Sequence, residues 1–307
     1  MSAKLPARFT DAAAARKHLE RLQWPDGPVC PHCGALDRAS AIKGGREGLY
    51  FCNACRSQYT VTVGTVFERS KIPLNVWLYA NHLLCNSKKG ISSHQLSRML
   101  GVTYKTAWFL THRLREAMSP GPKPGPMGGE GKIVEVAETY FGDRDGLPQA
   151  KKNKKGVATK RIVVSLVERG GKVRSFHLKG NISKDKARKV LFTNVDRQSD
   201  VVTDDHPAYP GAGAHFAQDS SVNHSAGEYV RGDIHTNTIE GVFSVFKRGM
   251  VGTYQHCGEQ HLQRYLNEFD FRYSNRAKLG IDDACCADLA LKGIIGKRLT
   301  YRRTDQA

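Results

Sequence analysis

Apolar positions recur along this chain with two periods, and the change from one to the other divides it. Residues 10–22 are a run of good helix formers behind a capping residue, stopped at Trp24-Pro-Asp-Gly27, which predicts a short lead-in helix within residues 1–23. Residues 73–85 read as a second helix. Residues 92–118 read as a helix, a turn at Gly101 and a longer helix capped by Thr103. Pro and Gly then crowd residues 119–131, which predicts a linker. Beyond it the period drops to two, and strands are expected over 132–141, 160–168 and 172–178. A helix over 185–191 and a short buried strand over 201–203, ending at Asp204, follow.

The helix expected over 235–249 carries two stripes. Ile239, Val242, Phe243, Phe246 and Met250 fall in one apolar arc, as in any helix lying on a core. Rotated away from it, Asn237, Glu240, Ser244 and Lys247 recur at i, i+3, i+7 and i+10, so an amide, a carboxylate and an ammonium share one edge. A solvated Glu/Lys face and a chemical site both fit that stripe. Three antiparallel strands, a helix, a fourth strand and a helix make an α/β layer with acids at strand ends.

Charge narrows the partner. Lys and Arg number 47 against 29 Asp and Glu among 307 residues, a net +18 that attracts a polyanion, and nucleic acid leads. A membrane fits poorly, because the longest apolar stretch, 74–85, is interrupted by Asn75, Asn81 and His82. The chain opens without a secretory pattern, so an intracellular protein is expected.

Cysteine spacing supplies the first chemistry. Cys30, Cys33, Cys52 and Cys55 form C-x2-C-x18-C-x2-C, the spacing of one structural zinc ion on two knuckles, over a ribbon expected at 24–69. The β-prone residues 58–63 suit the strand after the second knuckle. Cys85, Cys257, Cys285 and Cys286 show no framework, and no disulfide scaffold is expected. The helical pair within 70–118 fits a helix-turn-helix as well as a plain helical hairpin. As a DNA reader it would offer Tyr104, Lys105 and Thr106 at the start of its second helix, with Arg113 and Arg115 further along. Lys151, Lys152, Lys154 and Lys155 form either a solvated basic loop or a phosphate contact.

Taken together, Trp24-Pro-Asp-Gly-Pro-Val-Cys-Pro-His-Cys-Gly34, Val136-Ala-Glu-Thr-Tyr140, Thr203-Asp204, residues 235–249 and residues 267–276 resemble the insertion-sequence transposases of the ISXO-like group. The resemblance covers residues 24–276. It implies an RNase H-like mixed sheet with flanking helices over 132–276, preceded by the zinc ribbon and helix-turn-helix and followed by a basic C-terminal segment, 277–307. It also implies metal-dependent cleavage and transfer of strands at the ends of a mobile element. Two Mg2+ or Mn2+ ions would be held by acids on the first strand, the fourth strand and the later helix. The partners implied are double-stranded DNA, both terminal repeats and target, and further copies of the chain, in a prokaryotic cytoplasm at the nucleoid. The positions that match are 137, Asp204, Asn237 or Glu240, and Lys247.

One position departs from the family. Its first-strand motif has Asp where this chain has Ala137, which offers no ligand. Glu135 lies on the same strand face but about 7 Å along, and Glu138 points to the opposite face. Two functions follow: a transposase impaired at one ligand, or a non-catalytic DNA-binding protein on a transposase scaffold.

Overall fold

A computed structural model describes residues 5–121, 124–143, 160–204, 207–209, 215–222 and 230–300. The chain divides into two compact units: Met1–Ser119 with Asp282–Ala307, and Pro120–Ile281.

The first unit opens with α1 (Ala7–Thr10) and α2 (Ala12–Gln23). The cap of α2 is Asp11, whose carboxylate accepts from Ala14 N, one residue later than the cap placed at Thr10. A three-stranded antiparallel ribbon follows, in the order β1 (Ala39–Ala41), β2 (Tyr50–Cys52), β3 (Gln58–Tyr59). The strand expected over 58–63 stops at Tyr59, because Val63 N and Thr65 N turn back to Thr60 O and Thr62 O. Then come α3 (Leu74–Cys85), α4 (Ser93–Leu100) and α5 (Tyr104–Ala117). Gly101 at φ 65° closes α4, a conformation a side chain would disfavour, and Thr103 Oγ1 accepts from Thr106 N to start α5.

The expected C-terminal segment, 277–307, is divided, and most of it completes this unit. The chain's last helix, Asp283–Lys292, lies on α2, α3 and α5. Buried Asn81 donates to Ala287 O, Arg113 Nε donates to Leu299 O, and Lys297 Nζ donates to Ala117 O and Ser119 O. Gly296 N donates to Gly64 O beside a bridge between Thr65 and Ile295.

The second unit is built on five strands: β4 (Ile133–Asp143), β5 (Lys160–Glu168), β6 (Val173–Leu178), β7 (Asp200–Thr203) and β8 (Gln218–Ser221). Their order is β6-β5-β4-β7-β8; β4, β5 and β6 pair antiparallel, while β7 runs parallel to β4 and β8 parallel to β7. This is the mixed sheet expected of an RNase H-like domain. Helix α6 (Lys184–Asn194) packs Ala187, Val190 and Leu191 on the face formed by Val134, Val136, Val164 and Leu166. A short hairpin, β9 (Val230–Arg231) and β10 (Ile234–His235), leads into α7 (Asn237–Gly249), which with α8 (Leu262–Ser274) covers the other face; the Asp283–Lys292 helix is α9. Helices on both faces explain why β5 is buried through its whole middle. Strand β8 and the β9–β10 hairpin were not anticipated: their residues are mostly polar and exposed and carry no alternation.

Part of the expected linker is docked. Buried Met127 donates to Asn194 O and accepts from Asp196 N, and Gly129 N donates to Ser199 Oγ, fixing this stretch to the second unit.

Candidate functional site

The four ribbon thiols converge, with all their sulfurs within 4.8 Å of one another. Cys30 and Cys55 sulfurs lie 3.7 Å apart, as do those of Cys33 and Cys52. That is far beyond a disulfide. It matches the edge of a tetrahedron: an ion bound to four sulfurs at roughly 2.3 Å holds them roughly 3.8 Å apart. Each knuckle turns through a positive φ just after its second cysteine, at Gly34 (73°) and Arg56 (58°). The cluster splits its thiols. The Ser57 hydroxyl, followed by the neighbouring sulfurs, draws Cys55 down to about 6. Cys33 is pulled down by its backbone bond at Ala35, yet burial and the other three sulfurs push it up to about 12. Four thiolates at this spacing repel one another, and a divalent ion cancels that repulsion. The residues fit structural zinc.

On α5, Tyr104 is 47% exposed and stacks on His94 with centroids 4.2 Å apart, while Lys105 is exposed beside it. Thr106 is half-buried, its hydroxyl 2.9 Å from Thr103 Oγ1. Arg113 does not belong with them. It is 8% exposed, donates to Leu299 O and Glu68 O and lies over the Phe109 ring, so its charge is spent inside the unit. Arg115, 1% exposed and bonded to Thr111 Oγ1, is likewise internal. Both were expected to face DNA; residues this far along α5 turn inward because α9 and the chain end cover them. Sequence reasoning missed Arg69 and Lys71, which line a pocket of about 400 Å3 with Lys105, Thr106 and Trp108. Lys151, Lys152, Lys154 and Lys155 lie outside the described residues.

In the second unit, Val136 is the last β4 residue registered with β7, opposite Thr203, so Ala137, in the middle of β4, comes beside Asp204, the residue just past the end of β7. Ala137 is 6% exposed and packs with Ile239, Val242 and Phe243 of α7. The apolar arc of α7, Ile239 through Met250, is buried as expected. Asn237, Glu240, Ser244 and Lys247 are all exposed along its outer edge, with Lys247 two turns, roughly 10 Å, beyond Glu240.

Glu138, on the α6 face, accepts from the Tyr209 hydroxyl at 2.9 Å. The Tyr209 phenol is held well above its ordinary value, first by burial and then by the charges of Glu138 and Asp204; Tyr140 is raised by the same three causes in the same order. Glu135 is fully buried and already engaged. Arg169 Nε donates to its Oε1 at 2.7 Å, and Ile239 N donates to its Oε2 at 2.9 Å.

This face does not fit a two-ion site. Among the described residues, the ribbon cysteines are the only group of three or more Cys, His, Asp or Glu whose ligand atoms converge. On this face β4 offers the methyl group of Ala137 and the fully buried Glu135, which is held by Arg169 and Ile239 N.

Residues 128–274 match the ISXO2-like transposase domain, and residues 10–58 match a transposase zinc-ribbon domain. A relative in Halobacterium salinarum, described as an uncharacterized protein in transposable element ISH50, is 28% identical over 284 residues. The match covers 86% of this chain and 91% of the relative.

Proposed function

Residues 128–274 belong to the ISXO2-like transposase family and residues 10–58 to the transposase zinc-ribbon family, and from that premise we propose a DNA-end-binding transposase whose strand chemistry is impaired by Ala137. In this reading the first unit holds one zinc ion and binds the terminal repeats of an insertion sequence through Tyr104, Lys105 and Thr106, with Arg69 and Lys71 on the phosphates. Lys151, Lys152, Lys154 and Lys155 add to the charge that holds DNA. In the same reading the second unit is a scaffold for cleavage and strand transfer, to which Asp204, Asn237 or Glu240, and Lys247 would contribute. Copies of the chain assemble on DNA in the cytoplasm, at the nucleoid. No helix among the described residues is long and apolar enough to cross a membrane.

The observation that carries the proposal is the pairing of β4 with β7, which sets position 137 beside Asp204 and under the first turns of α7. A carboxylate there is what two-ion phosphoryl chemistry requires. Among the described residues no three acids converge, which favours a second reading, a DNA-binding regulator on the same scaffold.

Labelled element ends with Mg2+ or Mn2+ separate the two. The natural chain should bind ends and cleave poorly or not at all. Ala137→Asp should raise cleavage about a hundredfold or more, and Asp204→Ala in that background should abolish the gain. Undetectable cleavage by folded, DNA-binding Ala137→Asp protein would transfer the chain to the regulator reading.

A further inference from the structure

Helix α7 begins without a cap of its own. Thr236, at its N-cap position, makes no side-chain bond to the first turn, whereas α2, α4, α5, α6 and α9 are each capped by the side chain that precedes them. The missing acceptor comes from β4. Glu135 Oε2 takes the Ile239 N–H, which places a full negative charge at the positive end of the helix.

A carboxylate with no solvent exposure needs compensation, and Arg169 supplies it. Beyond its 2.7 Å bond to Glu135, Arg169 donates through Nη1 to Asp233 O at 2.6 Å and through Nη2 to His235 O at 2.8 Å. His235 Nδ1 sits 3.2 Å from Arg169 Nη2 and 3.5 Å from Glu135 Oε1. One ion pair, Glu135 buried and Arg169 half-buried, therefore joins β4, the residue just after β5, the β9–β10 hairpin and the first turn of α7.

Position matters more than strength here. Glu135 precedes position 137 by two residues on the same strand face, and the amide it holds lies between Asn237 and Glu240. We propose that Glu135, clamped by Arg169, is a positioning residue that registers the first turn of α7, and with it Asn237 and Glu240, against position 137 of β4 and Asp204. Each of its oxygens accepts one of these bonds and its side chain is fully buried, which assigns it to holding α7 and not to replacing a ligand at 137. The part of the proposal that concerns Asn237 and Glu240 rests on the transposase reading; the clamp itself does not.

The test uses the full chain with Glu135→Gln, and Arg169→Lys as a second variant should the first fail to fold. In the natural background, hydrogen exchange at the amides of residues 238–240 should quicken about ten- to a hundredfold, the scale of one charge-assisted hydrogen bond. In the Ala137→Asp background, single-turnover cleavage at saturating DNA should fall by a similar factor while DNA-end affinity stays within about twofold. Electron paramagnetic resonance of added Mn2+ should show the same number of bound ions, held more weakly. The two substitutions combined should do little more than either alone, because they break one network.

Unchanged exchange at residues 238–240 would overturn the clamp whatever the cleavage assay gives. Loss of one Mn2+ ion per chain in Glu135→Gln would overturn it in favour of a ligand role. An inactive Ala137→Asp protein whose exchange still quickens with Glu135→Gln would uphold the clamp and sink the transposase reading instead.

Discussion

Asp270 on α8 gives the second unit a stability that should fall as pH rises. Its Oδ2 accepts from Ser175 N at 2.6 Å and its Oδ1 from Ser175 Oγ at 2.7 Å, and Ser175 Oγ is 2.8 Å from Ser165 Oγ. Burial pushes this carboxyl up to about 7 from an ordinary 3.8, although both Ser175 donors and the nearby Arg174 pull the other way. The folded chain therefore holds the proton up to about pH 7, while the unfolded chain releases it near pH 4. Stability from this group is fully present below the unfolded value and is lost as pH climbs through the folded one. Three units at about 1.4 kcal/mol each set an upper bound of about 4 kcal/mol, and Asp270 keeps part of its surface open to solvent, so about 2 kcal/mol is the working figure. Asp270→Asn has no proton to lose, and its amide both accepts from Ser175 N and donates to Ser175 Oγ, so the network survives. Denaturant unfolding of both proteins at pH 5, 6, 7 and 8, followed by hydrogen exchange of β5 and β6 amides, isolates the difference. The natural chain should lose about 2 kcal/mol relative to Asp270→Asn across that range. Parallel stability curves would refute the burial argument, and a natural chain that gained with pH would show Asp270 to be stabilised as the anion.

Three further outcomes follow from the first unit. Metal analysis of protein purified without chelator should give about one zinc per chain, and Cys33→Ser should unfold the ribbon; a folded ribbon with no metal would remove the zinc centre. Lys105→Ala should weaken binding to element ends more than to bulk DNA, and equal losses on both would reduce Lys105 to a backbone contact. A chain ending at residue 119 should lack a cooperative unfolding transition and regain it when residues 282–307 are added as a separate peptide, because Asn81, Arg113 and Lys297 find their partners across that junction; a cooperative fold for 1–119 alone would make α9 an accessory.

Local signals carried much of the fold. The linked C-x-x-C pairs, the Thr103 cap with Gly101 before it and the apolar arc of α7 depend on spacing of a few residues, and the structure places each where that spacing puts it. Longer-range facts left no such trace. The burial of Arg113 depends on a carbonyl 186 residues away, and an Arg on a helix near a DNA-reading turn looks the same in sequence whether it faces DNA or Leu299. Glu135 sits in an alternating strand, where its parity with position 137 is legible, but its role depends on Ile239 N, 104 residues on. Strand β8 was missed because pairing with β7, and not an apolar face, makes it a strand.

The same geometry explains how position 137 accommodates Ala. Its side chain is nearly closed off, against Ile239, Val242 and Phe243 and next to Asp204. A carboxylate there would be desolvated by the helix and repelled by its neighbour, a charge that folding tolerates only when a cation offsets it. A methyl group fills the space with no such demand and adds to the contact with α7. Ala at 137 therefore leaves the sheet packed, and the bonds of Glu135, two residues earlier, hold the first turn of α7 independently of position 137. Ala137→Asp should accordingly lower thermal stability in chelator by about 1–3 kcal/mol and recover it with Mg2+, which links the acid to the fold through the ion it would hold.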